Sequence, residues 1–483
     1  MFFRQIIDPL LSQHAYLIGC DTTKEALLFD PERDIERYLK LAEKNGYKII
    51  GAAETHIHAD FLSGLRQLAE TGIKIYASDE GGRDWKYEWL KKGNYDFQLL
   101  RDGDTFSVGA VAFEAFHTPG HTPEHLSYIV SENKNGVEVQ LGILTGDFVF
   151  VGDVGRPDLL ETAAGVVGSA KTAAEELFDS IQKFKRIPSD LMVWPSHGAG
   201  SVCGKSLGAA PMSTVEQELK FNHSILAATN KQSFVEYILT GQPEPPYYFA
   251  RMKRENKEGP AVLKGLFSPK NVSPEEIETL ARTKNTIVID GRNWQDFRTG
   301  HLKGTLFAPL DRYFILVTGS YIEPGTDIAL ITDEDNINQT VAALARIGHD
   351  KVTAYITPEQ FAEFANKGKL LETIEEITAT ELKAHMPEVE GQILDVRNSS
   401  ELMETGLIAG AQNVAYTRLL LQNSEIQRDG TVYVYCRSGN RSEYACSFLK
   451  NAGFKVSHVA GGITAWMGSG FELVPMMQSP VEK

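Results

Sequence analysis

Four short stretches hold most of the side chains that could do metal chemistry. They are THIHADFLSG from Thr55 to Gly64, HTPGHTPEH from His117 to His125, TGDF from Thr145 to Phe148 and PSHG from Pro195 to Gly198. In the first, His56, His58 and Asp60 alternate with small or apolar residues behind KIIGAAE, which reads as a strand running into a loop. Imidazole and carboxylate together suit zinc, iron or manganese, whereas calcium and magnesium call for oxygen donors alone. One such His is as readily a packed core residue. The ordered set HxHxD, TPGHT, GD and SHG is what points to a metal site.

A second kind of chemistry sits near the other end of the chain. Cys436 follows the strand-like TVYVY and opens CRSGNRS, which leads into a helix around Ser442 to Asn451. A thiol there faces unpaired backbone N–H groups and the positive end of a helix, and Arg437 and Arg441 add charge. Each effect favours thiolate, and the same amides can cradle an anion. Two Arg and a Gly in this loop fit a buried strand end poorly, so a reactive thiol is the expectation. The tyrosine phosphatase loop puts five residues between Cys and Arg; four separate Cys436 from Arg441, which argues against phosphatase chemistry. Cys446 has no such setting and is expected to pack.

The elements that must position these groups come from residues 1 to about 240, which alternate β-like runs with helical stretches. The runs are AYLIG, ALLFD, KIIGAAE, KIYAS, VAFEAFH, SYIV, LGILTGD and LMVWPSH, and the helices span Asp34 to Asn45 and Ala170 to Phe184. Ligands at strand ends in such a mixture fit an αββα sandwich. GQPEPPYYFARMKRENKEGPAV is rich in Pro and charge and reads as a linker.

Beyond it the chain repeats itself. Asp290, Arg292, Asn293, Gly300 and Gly304 match Asp395, Arg397, Asn398, Gly406 and Gly410. An offset of about 105 residues is too long for a solenoid unit and means a duplicated α/β domain with a mostly parallel sheet. Thr332 takes the place of Cys436 in the first copy, with Asp333, Glu334 and Asp335 behind it. Carboxylates oppose a thiolate or an anionic substrate, so this copy is expected to be inactive.

At 483 residues the chain exceeds one core. A formal charge of −16 argues against nucleic acid or an anionic membrane as partner. No apolar run reaches the roughly 20 residues of a membrane span. The opening MFFRQIIDPLLSQHAYLIG lacks the pattern of a signal peptide, so the cytoplasm is expected. The four cysteines, Cys20, Cys203, Cys436 and Cys446, form no CxxC cluster and no disulfide framework.

The ordered metal motifs resemble the metallo-β-lactamase superfamily over about the first 240 residues. Its glyoxalase II-type hydrolases carry HxHxDH, whose last His helps hold a second metal; here that position is Phe61. The persulfide dioxygenases of the superfamily bind one iron. By that resemblance one Fe(II) per chain falls to His56, His121 and Asp147, with His58, Asp60 and His197 as supporting residues. DVR, the glycine pair and the Cys436 loop resemble the rhodanese sulfurtransferases, whose loop Cys carries a persulfide.

The whole order, GDVGRPDL and GAGSVCGKSLG included, resembles the fused persulfide dioxygenase and sulfurtransferase enzymes of bacterial sulfide detoxification. The resemblance implies residues 1–245 as the metal domain, 246–262 as linker, 263–372 as an inactive rhodanese and 373–483 as an active one. It also implies a low-molecular-weight thiol persulfide, O₂, sulfite and thiosulfate as reactants. Cys436, Arg437 and Arg441 would be the transfer residues and Arg156 and Lys205 the anchors for an anionic thiol carrier, with Cys203 near the iron as a possible sulfur relay. A homo-oligomer is expected. The competing readings are a zinc-dependent thioester hydrolase fused to a sulfurtransferase, and a non-catalytic sulfur or redox sensor switching at Cys436.

Overall fold

The computed structural model describes residues 1–162, 168–386 and 391–476. The chain forms two compact units, Met1–Gly265 and Leu266–Lys483. In the first, two six-stranded sheets face each other. Strands Phe2–Asp8, Gln13–Gly19, Glu25–Phe29, Lys48–Ala53, Lys74–Ser78 and Phe97–Leu100 lie side by side in chain order. The second sheet runs from Thr105–Val108 through Val111–His117, Leu126–Lys134, Val137–Gly146 and Met192–Pro195 to Ser213–Thr214. Tyr16, Phe29, Phe106, Phe113, Tyr128 and Trp194 fill the layer between them. Helix Glu36–Lys44 contributes Tyr38 and Ala42 to the outer layer on one side, and Ser169–Phe184 contributes Ala174, Leu177, Ile181 and Phe184 on the other. This is the αββα sandwich, and short apolar runs between helical stretches are what made its strands readable.

The stretch 246–262 corrects the linker reading. It carries helix Phe249–Glu258, with Phe249, Met252 and Asn256 buried. Asn256 Nδ2 donates at 2.8 Å to both His58 O and Phe61 O, and its Oδ1 accepts from Ser63 N–H at 2.8 Å. A segment whose composition suggests solvent therefore clamps the His58 loop, because one buried amide satisfies three backbone groups that would otherwise be stranded.

The second unit holds the repeat as two five-stranded parallel sheets of the same order. The first runs Lys270–Asn271, Val352–Ile356, Asp327–Ile331, Thr286–Asp290, Thr305–Phe307; the second runs Glu375–Ile377, Lys455–Val459, Thr431–Tyr435, Gly391–Asp395, Gln412–Asn413. The repeated Asp-x-Arg is structural in both copies. Arg397 donates to Asp395 from Nε at 3.0 Å and from a terminal nitrogen at 2.6 Å, and also to Gly406 O at 2.8 Å; Arg292 makes the matching bonds to Asp290 and Gly300 O. The paired Arg ties the strand end to the end of the following helix, which explains why Asp, Arg and Gly recur together. The copies also meet each other. Phe307 N–H donates to Ser447 Oγ at 2.7 Å, and Tyr444 OH donates to Asp311 at 2.6 Å.

Candidate metal centre and thiol site

The metal-site loops converge at the ends of strands from both sheets. Asp30, at the end of Glu25–Phe29, ties two of them: it accepts Thr55 N–H at 2.7 Å and Ser196 Oγ–H at 2.6 Å, and lies 3.2 Å from His58 Nε2. Burial works to keep Asp30 protonated and His58 neutral, but their mutual contact prevails; the Asp30 carboxyl is held down and His58 is lifted to about 9. The sequence motifs alone missed Asp30. Its only signal was an Asp closing the apolar run ALLFD.

His56, His121 and Asp147 are all buried, and one donor atom from each lies within 4.8 Å of the others. Asp147 Oδ2 is 3.4 Å from His121 Nε2 and 3.9 Å from His56 Nε2. Burial depresses both imidazoles, keeping them neutral with lone pairs to give. His121 Nδ1 donates to Arg156 O at 3.0 Å, and His56 Nδ1 lies 2.9 Å from Thr55 Oγ1. His125 Nε2 accepts Asp147 N–H at 3.1 Å. These outer bonds fix ring orientation in the way metal sites require. A Cβ on Gly155 would stand 1.8 Å from Asp147 O, so only glycine lets that loop lie against the ligand loop.

The donor set fits a metal ion on a direct criterion. Neither carboxylate oxygen of Asp147 has a hydrogen-bond partner although the side chain is 1% exposed. A buried carboxylate left bare costs several kcal/mol, roughly, unless a cation completes it.

A second group stands beside it. Asp60, His197 and Cys203 also have donor atoms within 4.8 Å of one another, and His197 Nε2 lies 3.3 Å from Asp60 and 3.5 Å from Asp147 Oδ1. Phe61, buried, packs on His58 with ring centroids 4.4 Å apart. Cys203 is thus near the metal loops, but burial pushes its thiol well up, so it stands there as a neutral thiol.

Arg156 and Lys205, the candidates for holding an anionic thiol carrier, are both bonded to the protein. The Arg156 guanidinium is fully buried, bonded to Asp158 at 2.8 and 2.6 Å and to Pro243 O at 2.7 Å. Lys205 Nζ donates to Tyr237 O at 3.0 Å and to Thr240 O. Both brace the loops around Cys203, and their partners are up to tens of residues away, beyond the reach of a motif.

In the second unit, Cys436 lies at the carboxyl end of the middle strand of its sheet, where open α/β sheets bind ligands. Its Sγ accepts Gly439 N–H at 3.2 Å at the start of helix Asn440–Asn451, and Ser442 Oγ lies 3.5 Å away. Gly462 (φ +54°) begins the next helix; a Cβ there would meet Cys436 O at 2.2 Å. Arg437 is exposed on the loop. Arg441 forms a two-pronged pair with Glu401 at 2.6 and 2.8 Å and also lies close enough to Cys436 for their charges to interact. Burial pushes the Cys446 thiol up, as suits a packing residue. In the first copy, Thr332 is buried and Asp333, Glu334 and Asp335 are exposed. Water therefore weakens the repulsion expected from them.

A model of the metallo-β-lactamase superfamily matches residues 8–197, and a rhodanese-like domain model matches residues 378–469. The crystal structure of a metallo-β-lactamase from Staphylococcus aureus subsp. aureus COL is 36% identical, covers 74% of this chain and 99% of its own, and has a TM-score of 0.66. The chain belongs to the metallo-β-lactamase superfamily and carries a rhodanese-like domain at its C-terminal end. It is also 26% identical over 228 residues to the mitochondrial persulfide dioxygenase ETHE1 of Bos taurus, covering 46% of this chain and 75% of that protein. Over 205 residues it is 26% identical to the hydroxyacylglutathione hydrolase GloC of Haemophilus influenzae, covering 40% and 88%. Among the described residues, no helix is long and apolar enough to cross a membrane.

Proposed function

We propose that residues 1–245 form a persulfide dioxygenase that oxidises a low-molecular-weight thiol persulfide to thiol and sulfite. In the same reading, residues 263–372 are a rhodanese copy without transfer activity, and residues 373–483 pass sulfur from Cys436 to sulfite, giving thiosulfate in sulfide detoxification. The observation that carries the metal half is the bare Asp147 carboxylate between neutral His56 and His121, a two-His, one-carboxylate face. Fe(II) bound by these three residues would supply Lewis acidity and open positions for persulfide sulfur and O₂. The surrounding residues hold that face. Thr55 and Arg156 O orient the two rings, His125 fixes the Asp147 backbone, and Asn256 clamps the loop that follows His58. Similarity to the persulfide dioxygenase of Bos taurus supports the same reading.

The transfer half rests on Cys436 at a helix start, where its Sγ accepts the Gly439 N–H and the exposed Arg437 can meet an anion such as sulfite. The metal domain produces sulfite and the second copy consumes it.

One observation favours a rival. Asp60, His197 and Cys203 beside Asp147 could hold a second ion, and together with the likeness to GloC this supports a zinc-dependent thioester hydrolase. Anaerobic purification with metal counting separates the two. The dioxygenase reading expects one iron per chain and persulfide-dependent O₂ uptake, with both iron and uptake lost in His121→Ala. Two tightly bound zinc ions, thioester hydrolysis and no O₂ uptake would overturn it.

A further inference from the structure

A line of hydrogen-bonding groups leads away from Cys436 and ends in the other copy of the repeat. Ser442 Oγ, 3.5 Å from Cys436 Sγ, is 3.0 Å from His458 Nε2. His458 Nδ1 is 2.9 Å from Glu376 Oε2. That carboxylate also accepts the indole N–H of Trp294 at 3.0 Å, and Arg298 lies 3.4 Å from its other oxygen. The Trp294 ring stands edge-on to His458, centroids 5.2 Å apart. Trp294 and Arg298 belong to the first copy, and the remaining residues to the second.

We propose that Ser442 and His458 take up the Cys436 thiol proton, that Glu376 positions His458 for this, and that the first copy holds Glu376 in place through Trp294 and Arg298. The inference rests on the sulfur-transfer reading of Cys436 and deepens it. Glu376 accepts the Nδ1–H, which leaves Nε2 of a neutral ring as an acceptor that the Ser442 hydroxyl, which donates to Gly439 O at 2.7 Å, reaches by rotating. The S–H bond then breaks towards Ser442 Oγ as the Ser442 proton passes to Nε2. The products are a thiolate and an imidazolium whose new N–H has Gly439 O at 3.2 Å. One S–H bond is exchanged for one N–H bond, and nothing is oxidised or reduced. The thiolate attacks the outer sulfur of a persulfide RSSH, an S–S bond forms at Cys436, and the old S–S bond breaks. The released RS⁻ takes up the proton that His458 held.

The other titratable and charged groups facing this path are Arg441, already paired with Glu401, Tyr416 and Cys446 near Cys436, and Arg298 and Glu443 near His458 and Glu376. The first copy supplies an internal control. Leu330, two residues before Thr332, pairs with Tyr355, and Tyr355 with Asn271; Val434, two residues before Cys436, pairs with His458, and His458 with Glu376. Where the thiol is missing, the His and the Glu are missing from the same register positions.

The test is a pH titration of the ultraviolet thiolate absorbance of the full chain, read as the difference from Cys436→Ser. His458→Gln is expected to raise the Cys436 midpoint by about one pH unit, so that about tenfold less thiolate is present at a pH below both midpoints. Trp294→Phe, which keeps a ring but loses the N–H, should move it the same way by less. Sulfur transfer should fall in parallel and recover when the pH is raised past the new midpoint. An unchanged midpoint in a folded His458→Gln chain overturns the proposal. If that variant does not fold, Glu376→Gln and Trp294→Phe carry the same test, and no shift in either overturns it. Shifted midpoints in a chain that transfers no sulfur would support the proton path and overturn the sulfur-transfer reading alone.

Discussion

The two copies of the repeat share their sheet order, their Asp–Arg pair and an Asn at the start of the helix that follows it, yet differ where the middle strand ends. One ends in Cys436, Gly439, Ser442 and a paired Arg441; the other ends in Thr332 and three exposed carboxylates. The shared residues close strand ends and helix ends, which any copy of the fold needs. The differing residues stand where a ligand would meet the sheet. The comparison teaches that the repeat motif identifies the fold, and that the chemistry is decided by a few positions outside that motif.

The strongest way to break the comparison is to make the second copy resemble the first. Cys436→Ser should lower sulfur transfer to sulfite by about a thousandfold or more, because the hydroxyl is a far weaker nucleophile in that loop. The proposed metal ligands belong to the other unit, so persulfide-dependent O₂ uptake should persist and the product shift from thiosulfate to sulfite. Chromatography of thiol-trapped samples, corrected for the spontaneous reaction of sulfite with persulfide, reads this directly. Unchanged thiosulfate would move attention to Cys203.

A second test concerns what the copies share. Arg397→Ala takes the guanidinium from the buried Asp395 carboxylate, which keeps the backbone N–H of residue 397, and should destabilise the unit by about 3–5 kcal/mol in denaturant unfolding. Arg292→Ala should cost less, because the Arg292 side chain is 10% exposed against 1% for Arg397. Equal losses would mean that water does not relieve the first pair.

Smaller is the effect of Glu401→Gln. Burial works to raise the Glu401 carboxyl, but the Arg441 pair holds it below the usual carboxylate range. A depressed carboxyl stabilises the fold at neutral pH and loses that contribution as the pH falls through its folded value. The substitution should therefore cost about 1 kcal/mol at neutral pH and nothing in acid, where thermal melts of the two chains converge. A gap that persists in acid would exclude the charge pair as its source.

The smallest expected change is from Thr332→Cys in the Cys436→Ser background. Transfer should stay below about a hundredth of the native level, because the new thiol lacks the Gly439 amide and the His458 path. Activity near the native level would show that strand-end position alone suffices.

Much of this molecule was written in its order of residues. Short apolar runs marked the strands of both sheets, since burial of a strand needs no distant partner to show in the sequence. His56, His121 and Asp147 could be proposed from the sequence because each stands in a turn that follows a strand, and Cys436 because a strand leads into it and a glycine and a helix follow it. The side chains that support these groups depend on partners far away in the chain. Arg441, Arg156 and Lys205 carry charge in the sequence, and only the fold sets Glu401, Pro243 O and Thr240 O beside them. Asn256 lies in a stretch whose composition suggests solvent, yet it holds the carbonyls of His58 and Phe61. Cys203 joins Asp60 and His197, and Trp294 of one copy reaches Glu376 of the other. Local pattern determines which backbone elements form, because their hydrogen bonds and periodic burial are local. Which charges are neutralised, and which buried oxygen is left bare for a metal, is decided only when distant segments pack together and exclude water.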